Sequence, residues 1–226
     1  MNYVVFDLEW NQPQDGKSAD ERRLAFEIIE IGAVKLNDEL QIIDQYDQLI
    51  RPQVYQEINW RIRKMLDLKR GELSSGRFFP RAASEFLRWC GPDPVWCTWG
   101  SQDLSELRRN MKFYRMPLIS EDPVPYLNIQ RLYGIHIGNT AQSKALATAV
   151  EELGLTEDVP FHRAYGDAYY TAKVMGCLPQ ELLTGHMSYD KEHPPKKDHP
   201  RNRRGFRRRV RENRPAGQGQ TEGGQV

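Results

Sequence analysis

The sequence predicts an α/β fold: a mixed central β-sheet of about five strands flanked by helices, followed by a basic, disordered tail. Three observations predict it. Three β-type segments occupy the first fifty residues, and the short Asn37-Asp38 turn between the second and third reads as an antiparallel hairpin. Beyond residue 58, stretches of helical periodicity alternate with short apolar runs, as expected of strands covered by helices. From residue 190 onward the only apolar residues are Phe206, Val210, Ala216 and Val226, too few for a core. Residues 1–185 are therefore expected to form the folded domain and residues 186–226 the tail.

The elements follow in order. Tyr3, Val4, Val5 and Phe6 make residues 3–9 a strand of β-forming side chains. Polar residues 11–23 form a loop. Residues 27–36 are a second apolar strand and residues 40–50 a third, closed by Arg51-Pro52. Ile62, Met65 and Leu66 give residues 58–68 helical spacing, and Ala82, Ala83, Phe86, Leu87 and Cys90 do the same for 80–90. Residues 95–99 are a fourth strand, bounded by Pro94 and Gly100, and residues 104–114 a helix. A fifth strand at 126–129 runs into a short helix at 130–133. Helices at 145–153, stopped by Gly154, and at 164–178 complete the body.

Charge is distributed unevenly. The whole chain carries +1, but residues 190–226 hold 11 Lys+Arg against 5 Asp+Glu. The remaining 21 and 26 leave residues 1–189 at −5, an acidic body joined to a basic tail. Without the tail the apolar share of the body rises to about 44%, ordinary for a globular domain. Cys90, Cys97 and Cys177 form no Cys-x-x-Cys pair, which argues against a disulfide framework and a zinc knuckle. No stretch approaches 18 consecutive apolar residues, so no membrane span is expected. The N-terminus lacks the basic start and apolar run of a signal peptide, and a reducing cytoplasm is the expected compartment.

Five residues stand out against this background: Asp7, Glu9, Asp103, His162 and Asp167. Side chains at i and i+2 of a strand share a face, so Asp7 and Glu9 point the same way. Carboxylates so placed repel, and a divalent cation beside them reverses that sign. The alternative is an acidic edge strand facing water. Asp103 opens the helix after the fourth strand, where an Asp taken by itself reads first as an N-cap. His162 and Asp167 flank Gly166 at a loop-to-helix junction. The plain alternative there is a surface histidine with an Asp stabilising a helix N-terminus.

Together the three stretches resemble the motifs of the DEDDh 3′→5′ exonucleases, the DnaQ-like branch of the ribonuclease H-like fold. Asp7-Leu8-Glu9 matches the first motif, Asp103 after Trp99-Gly100 the second, and His162-x4-Asp167 the third. The segments 27–34 and 146–155 resemble the family's second strand and the helix before its third motif. The likeness covers about residues 1–180 and sits closest to the KapD and ERI-type exonucleases, many of which act on RNA. The tyrosine subtype carries Tyr four residues before the last Asp, where this chain has Arg163, so the histidine subtype fits. Trp10 departs from the small hydroxyl residue that many relatives carry after the first Glu.

The resemblance implies two ions, Mg²⁺ or Mn²⁺, bound by Asp7, Glu9, Asp103 and Asp167, with His162 as the base. It implies release of nucleoside 5′-monophosphates from the 3′ ends of single-stranded RNA or DNA, RNA somewhat favoured. DNA proofreading or repair, endonucleolytic cutting, and a non-catalytic nucleic-acid-binding regulator are the rival readings. Leu8 and Trp10 are candidate substrate contacts, Trp10 either by stacking on a base or as a core aromatic. In the tail, Arg204, Arg207 and Arg208 are candidate contacts to a nucleic-acid backbone, against a simply solvated tail.

Overall fold

The computed structural model describes residues 2–14, 24–117, 119–120 and 124–190. The tail contacts expected of Arg204, Arg207 and Arg208 lie outside the described residues. A six-stranded mixed sheet organises the chain, in the order β3-β2-β1-β4-β5-β6. Its strands are β1 (Tyr3–Asn11), β2 (Glu27–Leu36), β3 (Ile42–Leu49), β4 (Val95–Thr98), β5 (Val124–Asn128) and β6 (Ser188–Asp190). The first three pair antiparallel, β4 and β5 run parallel to β1, and β6 returns antiparallel to β5.

The β2–β3 hairpin turns on Asn37, whose side-chain oxygen accepts from the Glu39 and Gln41 amides. Period-two alternation divides β1 between two cores. Tyr3 and Val5 face the helices α4 (Ile129–His136), α5 (Leu146–Glu152), α6 (Ala164–Gly176) and α7 (Gln180–Gly185). Val4, Phe6 and Leu8 face α2 (Phe79–Cys90) and α3 (Asp103–Phe113). A smaller cluster of Ile29, Leu66, Leu68 and Leu73 lies under α1 (Trp60–Met65) and the 3₁₀ turn Glu72–Ser75.

The mixed sheet flanked by helices is as expected, and β6 adds a short sixth strand to the about five expected. Three residues are too short to leave a periodic signal, and only pairing with β5 defines them. The helix expected over 58–68 is six residues long. It stops because Asp67 adopts a left-handed backbone (φ 48°), and Met65, expected inward, is 47% exposed.

Candidate active site

β4 pairs only with Tyr3–Val5, so the second half of β1 projects beyond the carboxyl end of its parallel neighbour. Asp7 and Glu9 continue the row begun by Tyr3 and Val5, toward α6. Across the ladder Asp7 sits opposite Gly32, and Glu9 opposite Glu30. Gly32 lets α6 press against the sheet: a Cβ there would lie 1.9 Å from the Tyr165 amide nitrogen. Gly166 has a local role, folding the preceding loop onto the first turn of α6, where a Cβ would meet the Pro160 carbonyl at 2.0 Å. Asp167, in the first turn of α6, is thereby brought to β1. One oxygen from each of Asp7, Glu9 and Asp167 lies within 4.8 Å of the others.

Asp103 stands beside this trio. It is the first residue of α3, where the N-cap position belongs to Gln102. Its Oδ1 reaches across to accept from the Leu8 amide at 3.3 Å, between Asp7 and Glu9 in the strand. The capping alternative is therefore corrected: the carboxylate is aimed at β1 and is 5% exposed.

His162 is exposed and carries a left-handed backbone (φ 60°), uncommon outside glycine. It is gripped on both sides. Its amide donates to Asp167 Oδ1 at 3.2 Å, a reach-back from the first turn of α6 to the residue before its N-cap. Phe161 stacks on Tyr170, with ring centroids 4.3 Å apart. Arg163 Nε donates to both oxygens of Glu30 at 3.1 and 3.0 Å, while its Nη2 pairs with Glu72 at 3.3 Å.

Burial and like charge leave these carboxylates short of positive partners. Burial, then Asp103 and Glu9, hold Asp7 well above the usual carboxylate range. Burial, then Asp167 and Glu30, push Glu9 to about 8, against a small opposing pull from Arg163. Burial raises Asp103 to about 7 despite its hydrogen bonds, and burial also raises Asp167. An all-oxygen donor set with unbalanced negative charge suits a hard divalent cation. All five residues line one cavity of about 1030 Å³, whose far wall is built from amides and hydroxyls with Arg131.

A family model described as "Exonuclease", of the RNase T type, matches residues 4–175. The chain belongs to this exonuclease family. The expectation of an exonuclease is met, and the protein is a nuclease. Among curated proteins, none matches the chain in sequence. Solved structures do match. The nuclease domain of 3′hExo, described as a DEDDh family member bound to rAMP, is 21% identical with a TM-score of 0.66, over 84% of this chain and 96% of that one. A 3′-exonuclease described in 3′-end-specific recognition of a histone mRNA stem-loop is 18% identical with a TM-score of 0.63, over 86% and 72%. S. pombe Pop2p, in an Mg²⁺- and Mn²⁺-bound form, is 16% identical with a TM-score of 0.55, over 77% and 81%.

Two residues of this exonuclease sit differently from a simple substrate contact. Leu8 borders the cavity, but its side chain is 3% exposed and packs in the α2–α3 core, so its amide rather than its side chain serves the site. Trp10 lines the cavity and packs on Phe26, with ring centroids 5.5 Å apart. Sequence reasoning missed Glu30 and Arg163, which tie the His162 segment to β2. A signal existed for Glu30: like Asp7 and Glu9, it is an acid inside an apolar strand. Arg131 and the polar wall left none, because they come from the start of α4 and the loop after it, with no motif among them.

Proposed function

We propose that this chain is a divalent-metal-dependent 3′→5′ exonuclease. It removes nucleoside 5′-monophosphates from the 3′ end of single-stranded nucleic acid, RNA in preference to DNA. The observation that carries the reading is the convergence of Asp7, Glu9 and Asp167 within 4.8 Å, with Asp103 and His162 on the same cavity. A non-catalytic protein on this fold has no need to keep all five groups together at the cost of burying unbalanced charge.

Asp7, Glu9 and Asp167 would hold Mg²⁺ or Mn²⁺, two ions in all, with Asp103 completing the set beside Asp7. Bound ions supply Lewis acidity to the attacking water and to the leaving 3′ oxygen. The chain's own contribution is position and proton transfer. His162, exposed at the cavity and fixed through its backbone, takes the proton from the attacking water as general base. Asp167 orients that segment through the His162 amide. A cytoplasmic setting is part of the proposal, supported by three free cysteines.

Matched 3′-labelled RNA and DNA 20-mers with Mg²⁺ test the reading. The wild type should release mononucleotides, from RNA faster than from DNA, and EDTA should abolish release. His162→Ala and Asp7→Asn should each lower kcat about 10²–10⁴-fold with the fold retained by thermal melting. Full activity in either variant would sink the assignment. Faster release from DNA would instead favour a proofreading or repair enzyme.

A further inference from the structure

Residues 61–70 hold five cations, Arg61, Arg63, Lys64, Lys69 and Arg70, against a single acid, Asp67. This occurs in a body that carries −5 overall. All five are exposed. Among the described residues none of their side chains makes an ion pair or hydrogen bond; Arg61 only lies over the exposed Trp60 ring, 5.2 Å from its centroid. A strip of unneutralised positive charge on an acidic domain is a ready site for a polyanion.

Its position makes the polyanion specific. Met65, at the end of α1, lines the carboxylate cavity and also a neighbouring cavity of about 670 Å³ bounded by Lys69 and Arg70. Lys69 and Arg63 line a third, of about 610 Å³. Met65 therefore joins this stretch to the edge of the carboxylate cavity, and Lys69 and Arg70 line the cavity next to it.

It is also rigidly tied to the catalytic strand. Asn11, fully buried at the end of β1, donates to the Tyr55 and Glu57 carbonyls at 3.0 and 3.1 Å and accepts from the Asn59 amide at 2.9 Å. Buried Glu27 takes the Gln53, Val54 and Tyr55 amides at 2.6–2.9 Å. The segment that carries the cations is thus pinned to the strand that carries Asp7 and Glu9.

We propose that this strip is the track for the single strand on the 5′ side of the nucleotide being removed. Backbone phosphates pair with Arg63, Lys64, Lys69 and Arg70, and Met65 offers an apolar face at the cavity mouth. The proposal rests on the exonuclease reading of the carboxylate cavity. Phosphate pairing carries no base information, so the track binds without sequence preference.

The test is the full chain with Arg63→Gln, Lys64→Gln, Lys69→Gln and Arg70→Gln combined, which leaves the site residues and the tail intact. Each lost single-strand phosphate contact flattens the log–log salt dependence of affinity by about 0.7, hence by up to about 2.8 for four. Between 50 and 200 mM salt, wild-type affinity for a 20-nucleotide strand, read by fluorescence anisotropy in EDTA, should then fall up to about 50-fold more steeply than that of the variant. Cleavage of a dinucleotide with Mg²⁺ should be unchanged, because so short a substrate leaves the track empty. An unchanged salt slope overturns the proposal, as does an equal loss on dinucleotide and 20-mer. Loss of binding to anionic vesicles alone overturns it in favour of a membrane surface. The affinity measurement needs no cleavage, so an inactive wild type would refute the exonuclease reading while the track is still judged by its salt slope.

Discussion

Replacing Gly32 by Ala tests how the site is assembled. The new methyl would lie 1.9 Å from the Tyr165 nitrogen, 2.1 Å from the Ala164 carbonyl carbon and 2.4 Å from the Tyr165 Cα. All three are backbone atoms, so no rotamer change relieves the clash. Ordinary contact begins near 3.4 Å, so the first turn of α6 must retreat by about 1.5 Å from β2. Asp167 rides on that turn and would leave the group it forms with Asp7 and Glu9. Overpacking of this kind costs about 3 kcal/mol, at the upper end of its usual range. For a domain this size that lowers Tm by about 6–12 °C. Misplacing a site group by about 1 Å costs on the order of 10²-fold in turnover. Gly176→Ala is the matched control at the other end of α6, where an added methyl meets nothing within 4 Å. It should hold or raise Tm, by up to about 1 kcal/mol of helix propensity. Thermal unfolding and mononucleotide release read both variants. A Gly32→Ala protein with wild-type Tm and turnover would refute the packing of α6 on β2 described above.

Three further outcomes are expected. In EDTA, stability should fall as pH rises from about 4.5 to 8. Folded Glu9 holds its proton up to about 8 whereas the unfolded side chain releases it near 4.5, so the folded state binds more protons across that window. Glu9 alone is worth up to about 5 kcal/mol, and saturating Mg²⁺ should flatten the decline; denaturant titrations at several pH values with no such decline would contradict the burial of these acids. Arg163→Met leaves buried Glu30 without its partner and should cost about 1–3 kcal/mol, with Glu30→Gln in the same chain recovering part of it; simple additivity in the double-mutant cycle would show the two are not coupled. Asn11→Ala strands two carbonyls and one amide of the 55–59 segment and should cost about 2–3 kcal/mol, with faster proteolysis between residues 53 and 68; unchanged proteolysis would mean that Asn11 does not pin the segment.

Much of the sheet was legible because its signals are local. β2 was expected over residues 27–36 and is found there, since a mostly apolar, β-branched run bounded by a turn marks a strand. The α2 and α3 helices lie within one residue of expectation, because their apolar faces repeat every third or fourth residue. The α1 region was overextended, because Met65 looks like core in a helical pattern and only the left-handed turn at Asp67 and the nearby cavity expose it.

The sequence by itself determined which chemistry is present: acids two apart in an apolar strand, and a histidine beside a third acid, carry their meaning in residue type and spacing. What it left open, only the tertiary structure decided. Asp103 by itself reads first as a helix cap, since capping and ligation use the same short carboxylate, and its bond to the Leu8 amide spans 95 residues of chain. The closeness of Asp167 to Asp7 and Glu9 depends on Gly32 admitting the backbone of α6 to the sheet, a contact between distant segments. The basic strip gains its meaning in the same way. Its charge is plain in the sequence, but its place at the edge of the cavity follows from Asn11 and Glu27 drawing residues 53–59 onto the ends of two strands. Residue type and period are properties of a segment; proximity between segments is a property of packing, and this site is made of proximity.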